Sequence, residues 1–327
     1  MDERAAIYCD RLDEHEALLR SLGGLPETAV ENAEWLYMLE EDTRQSLAIE
    51  GHFATEEDLQ AVLQGRKKDL EIQNHFRMAQ TAYDLALQYY RDNMVQLSVA
   101  MVRHIHSELF RELDTRRGEF RCGGIQIHGA KVRPPEFDVA SYVQASLALC
   151  AEFLDSLPIL QALARFHALF ESIHPFVDGN GRVGRILLNY VAISSGYPPI
   201  VIKGVTQADR QRYYAALEAA DPGFHDGFPN PSPDALRARL DQGHFDALSL
   251  LLCEGLSSRL DRMIAIALER HEPLLEFKDL SPALGVREDT LRQWVHRGKL
   301  IAIKRGKKLY SHPHLILPHP PSSRRSS

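Results

Sequence analysis

Residues 173–185 read IHPFVDGNGRVGR, and this stretch decides which fold and which chemistry the chain can have. Gly179 and Gly181 flank Asn180 between an extended HPF and a helix-forming run. Glycine permits tight backbone geometry that residues with a Cβ resist. A helix that begins near Gly181 would point its free N–H groups and its partial positive charge back into the turn. The pattern therefore predicts a loop-to-helix site for phosphate.

The charged side chains around this turn predict more than a phosphate cradle. Arg182 and Arg185 carry planar guanidinium forks that suit phosphate oxygens, so the pair predicts a polyphosphate clamp. Asp178 offers a hard oxygen ligand for Mg²⁺, and His174 can take a proton from an attacking hydroxyl near pH 7. Together they predict transfer from a nucleotide to a protein hydroxyl. A polar helix cap with an incidental histidine is the alternative, which the many fixed positions of H-P-F-x-D-G-N-G-R-x-x-R disfavour.

The complete motif resembles the signature of the Fic family, whose members are mostly AMP transferases with an all-helical core. The resemblance implies that His174 is the general base, that Asp178 binds Mg²⁺ and that ATP is the nucleotide. It also implies an anion hole and a clamp on the β- and γ-phosphates, formed by Gly179, Asn180 and Gly181 and by Arg182 and Arg185. A weaker match extends over roughly residues 46–260. The motif alone also fits a phosphocholine-transferring relative.

A second stretch, SLAIEG at 46–51, gains meaning beside the motif. Ser46 and Glu50 are four residues apart, so they share a face of a helix. Alone, this predicts an ordinary exposed helix end with a glycine stop at Gly51. It resembles the pattern [S/T]-x-x-x-E-[G/N] of Fic proteins with an N-terminal inhibitory helix, in which the glutamate pairs with the second motif arginine, here Arg185. A carboxylate in that place would block productive ATP binding by occupancy and by like-charge repulsion.

Supporting features lie on either side of the motif. RGEFRCGGIQIHGAKVRPP at 117–135 alternates apolar and polar residues around a Gly-Gly pair and predicts a β-hairpin. The resemblance makes it the flap that pairs with a target segment as an added strand, and a structural hairpin over the core is the alternative. The resemblance also implies that Tyr213 lies at the nucleobase pocket, with core packing as the alternative. His104, His106 and His167 are predicted to be core histidines.

The C-terminal stretch from 276 to 316, EFKDLSPALGVREDTLRQWVHRGKLIAIKRGKKLYSHPHLI, predicts a helix, a tight turn at Gly285, a second helix and a basic hairpin. From residue 281 to 327, ten Lys or Arg stand against two acids. The segment resembles the excisionase and MerR type of winged helix-turn-helix. Its basic side chains would contact DNA phosphates, and they are Arg287, Arg292, Arg297, Lys304, Arg305, Lys307 and Lys308. A protein-docking or dimerisation module is the alternative.

The whole chain has 327 residues, 44% hydrophobic residues and a net charge of −7, which predicts a globular protein without a chain-wide nucleic-acid coat. Four cysteines lie far apart, which predicts reduced thiols and a cytoplasmic location. The acidic N-terminus does not resemble a signal peptide, and the sequence has no apolar run long enough for a bilayer. A membrane partner is therefore not expected.

The predicted architecture is mainly α, with a Fic-type helical core, a β-hairpin flap and a small winged helix-turn-helix domain. The predicted divisions are an N-terminal helical region at 1–92, a catalytic core at 93–268, a winged domain at 269–318 and a tail at 319–327.

Three functions fit this sequence. The first is an autoinhibited protein adenylyltransferase that moves AMP from ATP to a Tyr, Ser or Thr hydroxyl of a target protein or of itself. The second is a DNA-binding regulator that uses the Fic core as a nucleotide sensor. The third is an AMP-removing enzyme in which Glu50 positions a water. His174 favours an enzyme, since a sensor needs no base. The target protein and a homodimer stay open.

Overall fold

The computed structural model describes residues 8–9, 11–26 and 32–317. Most of them are helical, and a single small sheet of three strands accompanies the helices in this part of the chain. The predicted fold class, mainly α, is confirmed. The described residues form two compact units. The larger takes in those between 26 and 195 and between 199 and 255, and the smaller takes in those up to 25, those at 196–198 and those from 256 onward.

The larger unit contains a layered set of helices and no strand among its described residues. In chain order its helices are α2 (Ala33–Ile49), α3 (Glu56–Leu63), α4 (Leu70–Arg91), α5 (Val99–Leu109), α6 (Val139–Ser156), α7 (Ile159–Ile173), α8 (Asn180–Ser194), α9 (Gln207–Ala219) and α10 (Pro233–Leu240). Helix α11 (Asp246–Glu269) is shared between the two units, and α1 (Leu12–Ser21) belongs to the smaller.

Helix α8 is the centre of the larger unit. Every one of its residues except Gly181 is buried, because α2, α4, α5 and α7 pack around it. Its sequence RILLNYVAIS is apolar on all sides, which is typical of a helix with no solvent-facing side. The motif that precedes and begins α8 is therefore held by a helix that is buried along nearly its whole length.

One polar chain crosses this core and fixes α2 against α8. The Asn189 side chain accepts from the Ile200 N–H at 2.7 Å and donates to the Tyr83 hydroxyl at 2.8 Å. Tyr83 in turn donates to Asp42 of α2 at 2.6 Å. Because an unsatisfied buried polar group costs about 1–3 kcal/mol, all of these partners are needed together. These hydrogen bonds set the position of α2, which carries Ser46.

Helix α2 begins and ends at clear signals. The Asn32 side chain accepts from the N–H groups of Glu34 and Trp35, which caps its start. At its end Gly51 takes a φ of +87°, and His52 donates its N–H to Leu47 at 3.0 Å. This closing turn needs the left-handed conformation that glycine adopts without strain. The stop predicted at Gly51 is confirmed.

The smaller unit combines short helices with the sheet. Helices α12 (Phe277–Leu284) and α13 (Glu288–His296) are joined through Gly285, which has a φ of +65°. Strands β2 (Ile303–Arg305) and β3 (Lys308–Ser311) form the predicted hairpin, and β1 (Leu275–Glu276) pairs with the other edge of β3. The sequence did not indicate β1, which is only two residues long.

Residues 117–135 correct one prediction, because they form a loop and contain no strand. A tight turn closes its tip, where Ala130 donates its N–H to Ile127 at 3.2 Å. A two-stranded ribbon is marginal without a third strand or an apolar layer to pack on. Ile125 and Ile127 are only half-buried, so the alternating pattern has no core to face.

Of the other predictions, some are confirmed, one is wrong and some stay predictions. His106 and His167 are buried as expected, but His104 is exposed, so its predicted place in the core is wrong. The domain divisions and the winged-helix assignment stay predictions. The predicted tail at 319–327 lies outside the described residues. Within the described ranges, no helix is both long enough and apolar enough to cross a bilayer.

Candidate active site

The loop between α7 and α8 holds the motif in one defined conformation. His174 ends α7 with a φ of +51°, a left-handed conformation that persists in a non-glycine residue only where its surroundings enforce it. The Asn180 side chain closes the loop by accepting from the Phe176 N–H at 2.8 Å and donating to the Phe176 carbonyl at 2.9 Å. Since both ends of the amide are engaged, the loop cannot turn without breaking two hydrogen bonds.

Two glycines of the motif leave space for different neighbours. A Cβ on Gly179 would lie 2.3 Å from the Phe110 ring, and the residue has a φ of +76°. A Cβ on Gly181 would lie 2.3 Å from Glu50 Oε1 and 2.8 Å from Arg185 Nη1. Helix α8 has no side chain capping its start. The first amides of α8 and the space over Gly181 therefore form a cradle for an anionic group.

The hydrogen bonding of His174 defines which of its two ring nitrogens carries the proton. Its Nδ1 lies 3.1 Å from the Glu171 carbonyl oxygen, which can only accept, so Nδ1 is the protonated nitrogen of the neutral ring. Nε2 is then left with a lone pair that can take a proton. Burial is the main cause that lowers the pKa of His174 from 6.5, and the charge of Arg121 acts in the same direction. The ring is therefore the neutral form that a general base needs at pH 7.

Arg121 ties the base of the 117–135 loop to this histidine. Its buried guanidinium donates to the carbonyls of Ile173 at 3.0 Å and His174 at 2.7 Å. It also donates to the carbonyls of Gly123 at 2.5 Å and Pro135 at 2.8 Å. One side chain thus closes the loop and holds the carbonyl of a residue in an unfavourable backbone conformation.

The two motif arginines are buried in different surroundings. Arg182 lies over the Phe110 ring at 4.7 Å, with Nη1 3.2 Å from Glu71 and Nη2 3.5 Å from Asp178. Asp178 is 71% exposed and accepts from the Gly179 N–H at 2.6 Å. An exposed carboxylate beside a buried guanidinium leaves room for a cation and for phosphate oxygens.

Arg185 is held by the end of α2. Its Nε donates to Ser46 Oγ at 2.9 Å, and its Nη2 donates to the Ser46 carbonyl at 3.0 Å and to Glu50 Oε1 at 2.6 Å. Burial alone would lower the pKa of Arg185, yet the neighbouring Glu50, Tyr213 and Glu171 keep it above its ordinary value. The guanidinium stays charged, and three of its five N–H donors are taken by Ser46 and Glu50.

A second carboxyl group, Glu171, lies near enough to Arg185 to interact with its charge. Its Oε1 is buried and has no hydrogen-bond partner, and a Cβ on Gly184 would lie 2.1 Å from it. Burial raises the pKa of Glu171 to about 8, against an opposing effect of Arg185. Glu171 is therefore mostly protonated at pH 7, which leaves Glu50 as the charged partner of Arg185.

The tyrosine pair of α9 is split between core and surface. Tyr213 is 1% exposed, and its hydroxyl lies 2.7 Å from His167 Nε2. Tyr214 is half-exposed and donates its hydroxyl to the Ile49 carbonyl at 2.9 Å. The structure places Tyr213 in the core behind Arg185, while Tyr214 fastens the end of α2. A nucleobase contact of Tyr213 stays a prediction.

The basic side chains of the smaller unit are not all free to meet a ligand. Arg305 pairs with Glu269 at 2.5 Å, Lys308 with Glu276 at 2.9 Å, and Arg292 approaches Glu288 at 3.7 Å. Lys304 and Lys307 are exposed at the β2–β3 hairpin. The predicted row of cations therefore carries less uncompensated charge than the sequence suggested.

Sequence reasoning missed Arg121 and Glu171. Arg121 stands in EFRCGG, where nothing in the pattern marks an arginine as buried. Glu171 could have been noticed, because it is a lone carboxylate on the apolar helix ALFESI three residues before His174.

The loop-to-helix anion site lies in a segment that is similar to a known family. Residues 96–192 match the sequence model of the Fic/DOC family. The match covers α5 to α8 and the motif.

Relatives are similar over more of the chain. A probable protein adenylyltransferase of Aquifex aeolicus is 28% identical over 287 residues, which are 82% of this chain and 83% of that protein. The protein adenylyltransferase Fic of Drosophila willistoni is 28% identical over 71% of this chain and 46% of its own length. This chain spans about half the length of the fruit-fly relatives that it matches.

Solved structures share the fold. A Fic domain containing signaling protein from Bacteroides thetaiotaomicron has a TM-score of 0.58 at 20% identity and covers 79% of this chain and 97% of its own. Fic-1 from C. elegans has a TM-score of 0.53 at 20% identity, covering 80% of this chain and 73% of its own.

Proposed function

We propose that this chain is a protein adenylyltransferase that moves AMP from ATP to a side-chain hydroxyl of a protein, and that Glu50 keeps its activity low. One observation carries the proposal. The neutral His174, whose Nδ1 proton is held by the Glu171 carbonyl so that Nε2 is free, stands beside an anion cradle with two buried arginines. Two relatives that bear the name protein adenylyltransferase support the same reaction.

The residues at the start of α8 fit a metal–nucleotide substrate. Mg²⁺ binds through one or two carboxylates and the phosphates of its substrate. Asp178 is such a carboxylate, and it lies at the exposed edge of the cradle. When bound, Mg²⁺ would offset the charge of the leaving phosphates. The amides of residues 180–182 and the guanidinium of Arg182 would hold the phosphate oxygens.

The reaction needs one proton transfer from the chain. His174 Nε2 takes the proton of the attacking hydroxyl while the new oxygen–phosphorus bond forms at the α-phosphorus and pyrophosphate leaves. Nδ1 stays on the Glu171 carbonyl throughout, so the imidazolium that forms is stabilised by an oriented acceptor. Arg121 holds the backbone that sets the ring position.

The same contacts support the regulatory half of the proposal. Glu50 occupies the space over Gly181, and its oxygen takes the Arg185 donor that the terminal phosphate would need. ATP can bind with Arg185 engaged only if this carboxylate leaves. The AMP-removing alternative uses the same carboxylate to position a water, so it is separated by an assay and not by the contacts.

DNA binding by the smaller unit rests on Lys304 and Lys307. Both are exposed on the hairpin that would be the wing, whereas Arg305 and Lys308 already pair with acids of the same unit. A DNA-binding regulator is therefore the weaker candidate. A homodimer and a cytoplasmic location stay predictions.

The experiment compares three proteins with ATP labelled at the α-phosphorus, in the presence of cell lysate. They are the wild type, Glu50→Gly and Glu50→Gly with His174→Ala. We expect weak labelling of protein by the wild type, strong labelling by Glu50→Gly and none by the double variant, while the double variant still binds ATP. Equal labelling by all three would remove the proposed transfer and the role of His174.

A further inference from the structure

Two imidazoles and one carboxylate meet in the smaller unit, far from the motif in sequence. Glu272 precedes β1, His312 follows β3, and His314 lies in the 3-10 turn Pro313–Leu315. One donor atom from each lies within 4.8 Å of the other two. We propose that these three side chains bind a divalent transition metal of the zinc class.

The distances suit a tetrahedral ion. Glu272 Oε2 lies 3.2 Å from His312 Nε2, and Glu272 Oε1 lies 3.0 Å from His314 Nδ1. Bonds of about 2.0–2.1 Å to nitrogen and oxygen give edges of about 3.3–3.4 Å between ligands in a tetrahedral zinc site. Both distances are near the length of such an edge, but they involve different oxygens of Glu272, so the carboxylate has to turn until one oxygen serves both rings. The third edge, between the two rings, shortens when His314 turns, which its 66% exposure allows.

The backbone brings these residues together independently of any ion. In the antiparallel pairing of β1 with β3, Leu275 lies opposite Ser311 and Glu276 opposite Tyr310. This pairing brings the segment just before β1, with Glu272, alongside the segment just after β3, with His312 and His314. The carboxylate and the two rings are therefore close because β1 pairs with β3.

The donor set selects the class of metal. Two imidazole nitrogens with one carboxylate suit Zn²⁺, Co²⁺ or Ni²⁺, whereas Mg²⁺ and Ca²⁺ prefer oxygen ligands throughout. Three protein ligands leave a fourth position for water. The exposed sides of Glu272 and His314 place that position toward solvent.

Binding requires a rearrangement of one proton. The His314 N–H donates to His312 Nδ1 at 3.2 Å, so the neutral His312 ring carries its proton on Nε2, where it faces Glu272. When Nε2 binds the metal, the ring proton has to lie on Nδ1. Nδ1 can then no longer accept the hydrogen bond from the His314 N–H. Because both rings must also be neutral, binding weakens as the pH falls.

A bound ion would link the segment before β1 to the turn after β3. It would bind the folded state and not the unfolded chain, so it would raise the melting temperature in proportion to the logarithm of its concentration. This effect offers a measurement that is independent of catalysis.

The test uses the full chain after removal of metals with a chelator. Zn²⁺ is titrated against a chromophoric indicator at pH 7.5 and pH 5.5, with Mg²⁺ as the comparison ion, for the wild type, Glu272→Gln, His314→Asn and His271→Asn. His271 is an exposed histidine next to Glu272 in sequence, so its variant is the matched control. Melting curves with and without Zn²⁺ show that each variant is folded.

We expect one equivalent of Zn²⁺ in the wild type and in His271→Asn at pH 7.5, weaker binding at pH 5.5 and a higher melting temperature with the ion. Glu272→Gln and His314→Asn should each bind at least tenfold more weakly and lose the thermal shift. The side chains of Glu272 and His314 are both exposed to solvent, so we expect each substitution to remove a ligand without unfolding the protein. Equal Zn²⁺ binding by all four proteins, or none by the wild type, overturns the proposal.

Discussion

Removing the charge of Glu50 should release the proposed enzyme without touching its motif. In the folded chain Glu50 Oε1 lies 2.6 Å from Arg185 Nη2, while Ser46 accepts two further hydrogen bonds, from Nε and from Nη2 of that guanidinium. Glu50→Gln keeps the volume and one accepting oxygen but removes the charge. Glu50→Gly removes the carboxylate and opens the space over Gly181. The two variants therefore separate electrostatic repulsion from simple occupancy.

The size of the effect follows from the contact. A hydrogen bond to a charged group contributes about 1.5–3 kcal/mol. The Glu50 side chain is 34% exposed, so water screens part of the attraction and the lower end of that range applies. If the inhibited state loses about 1.5–2 kcal/mol of stabilisation, the fraction of active molecules rises roughly ten- to thirtyfold. Glu50→Gly should reach this gain and Glu50→Gln only part of it.

Ser46→Ala gives a graded comparison. It removes one acceptor from Arg185 but leaves the Ser46 carbonyl and Glu50 in place, so a gain of a few fold is expected. Arg185→Ala in the Glu50→Gly background should return the protein to low activity, because the clamp itself is then missing.

The assay is the initial rate of self-labelling and of target labelling with ATP at one Mg²⁺ concentration, together with ATP affinity for each variant. Circular dichroism checks that α2 still forms. Folded Glu50→Gly that labels no faster and binds ATP no tighter than the wild type would refute the inhibitory contact. If the wild type removes AMP from a labelled target and Glu50→Gly does not, the AMP-removing reading is favoured.

Three further outcomes follow from contacts described above. Replacing Arg121 with Met removes a charge that helps to lower the pKa of His174. In the Glu50→Gly background, the acid limb of the pH–rate profile between pH 5.5 and 8 should therefore move to higher pH. An unchanged limb would mean that Arg121 has only a structural role. The pKa of Glu171 rises from 4.5 unfolded to about 8 folded, so the wild type loses stability as pH increases through that window. The Glu171→Gln variant should therefore gain in melting temperature relative to the wild type between pH 5.5 and 8, and a constant difference would mean that the carboxyl is already charged. Replacing Lys304 and Lys307 together with Ala should weaken binding to duplex DNA and reduce its salt slope by about two, as measured by fluorescence anisotropy; a wild type that binds no DNA would refute the wing assignment.

The sequence predicted what is local. The motif, the stop of α2 at Gly51 and the helices of the smaller unit depend on residues a few positions apart, and their patterns could be read directly. The family resemblance added the partner of Glu50, which spacing alone could not supply because Arg185 is 135 residues away.

What the sequence could not predict depends on distant backbone. Arg121 acts through the carbonyls of Ile173 and His174, about fifty residues further on, and no side-chain pattern records a carbonyl acceptor. The hairpin failed for a related reason, since alternation indicates a strand but does not supply a layer for it to pack on. The pairing of Arg305 and Lys308 with acids of the same unit was likewise invisible in a count of charges.

The contact between Glu50 and Arg185 joins two parts of one polypeptide, and this sets how it responds to conditions. An inhibitor on a separate molecule loses its effect on dilution, but a tethered one keeps a constant effective concentration. The fraction of molecules in which Glu50 is bound to Arg185 is thus set by the fold and does not depend on how much protein a cell contains. Only a ligand that competes for Arg185, or a partner that pulls on the end of α2 near Tyr214, can change that fraction.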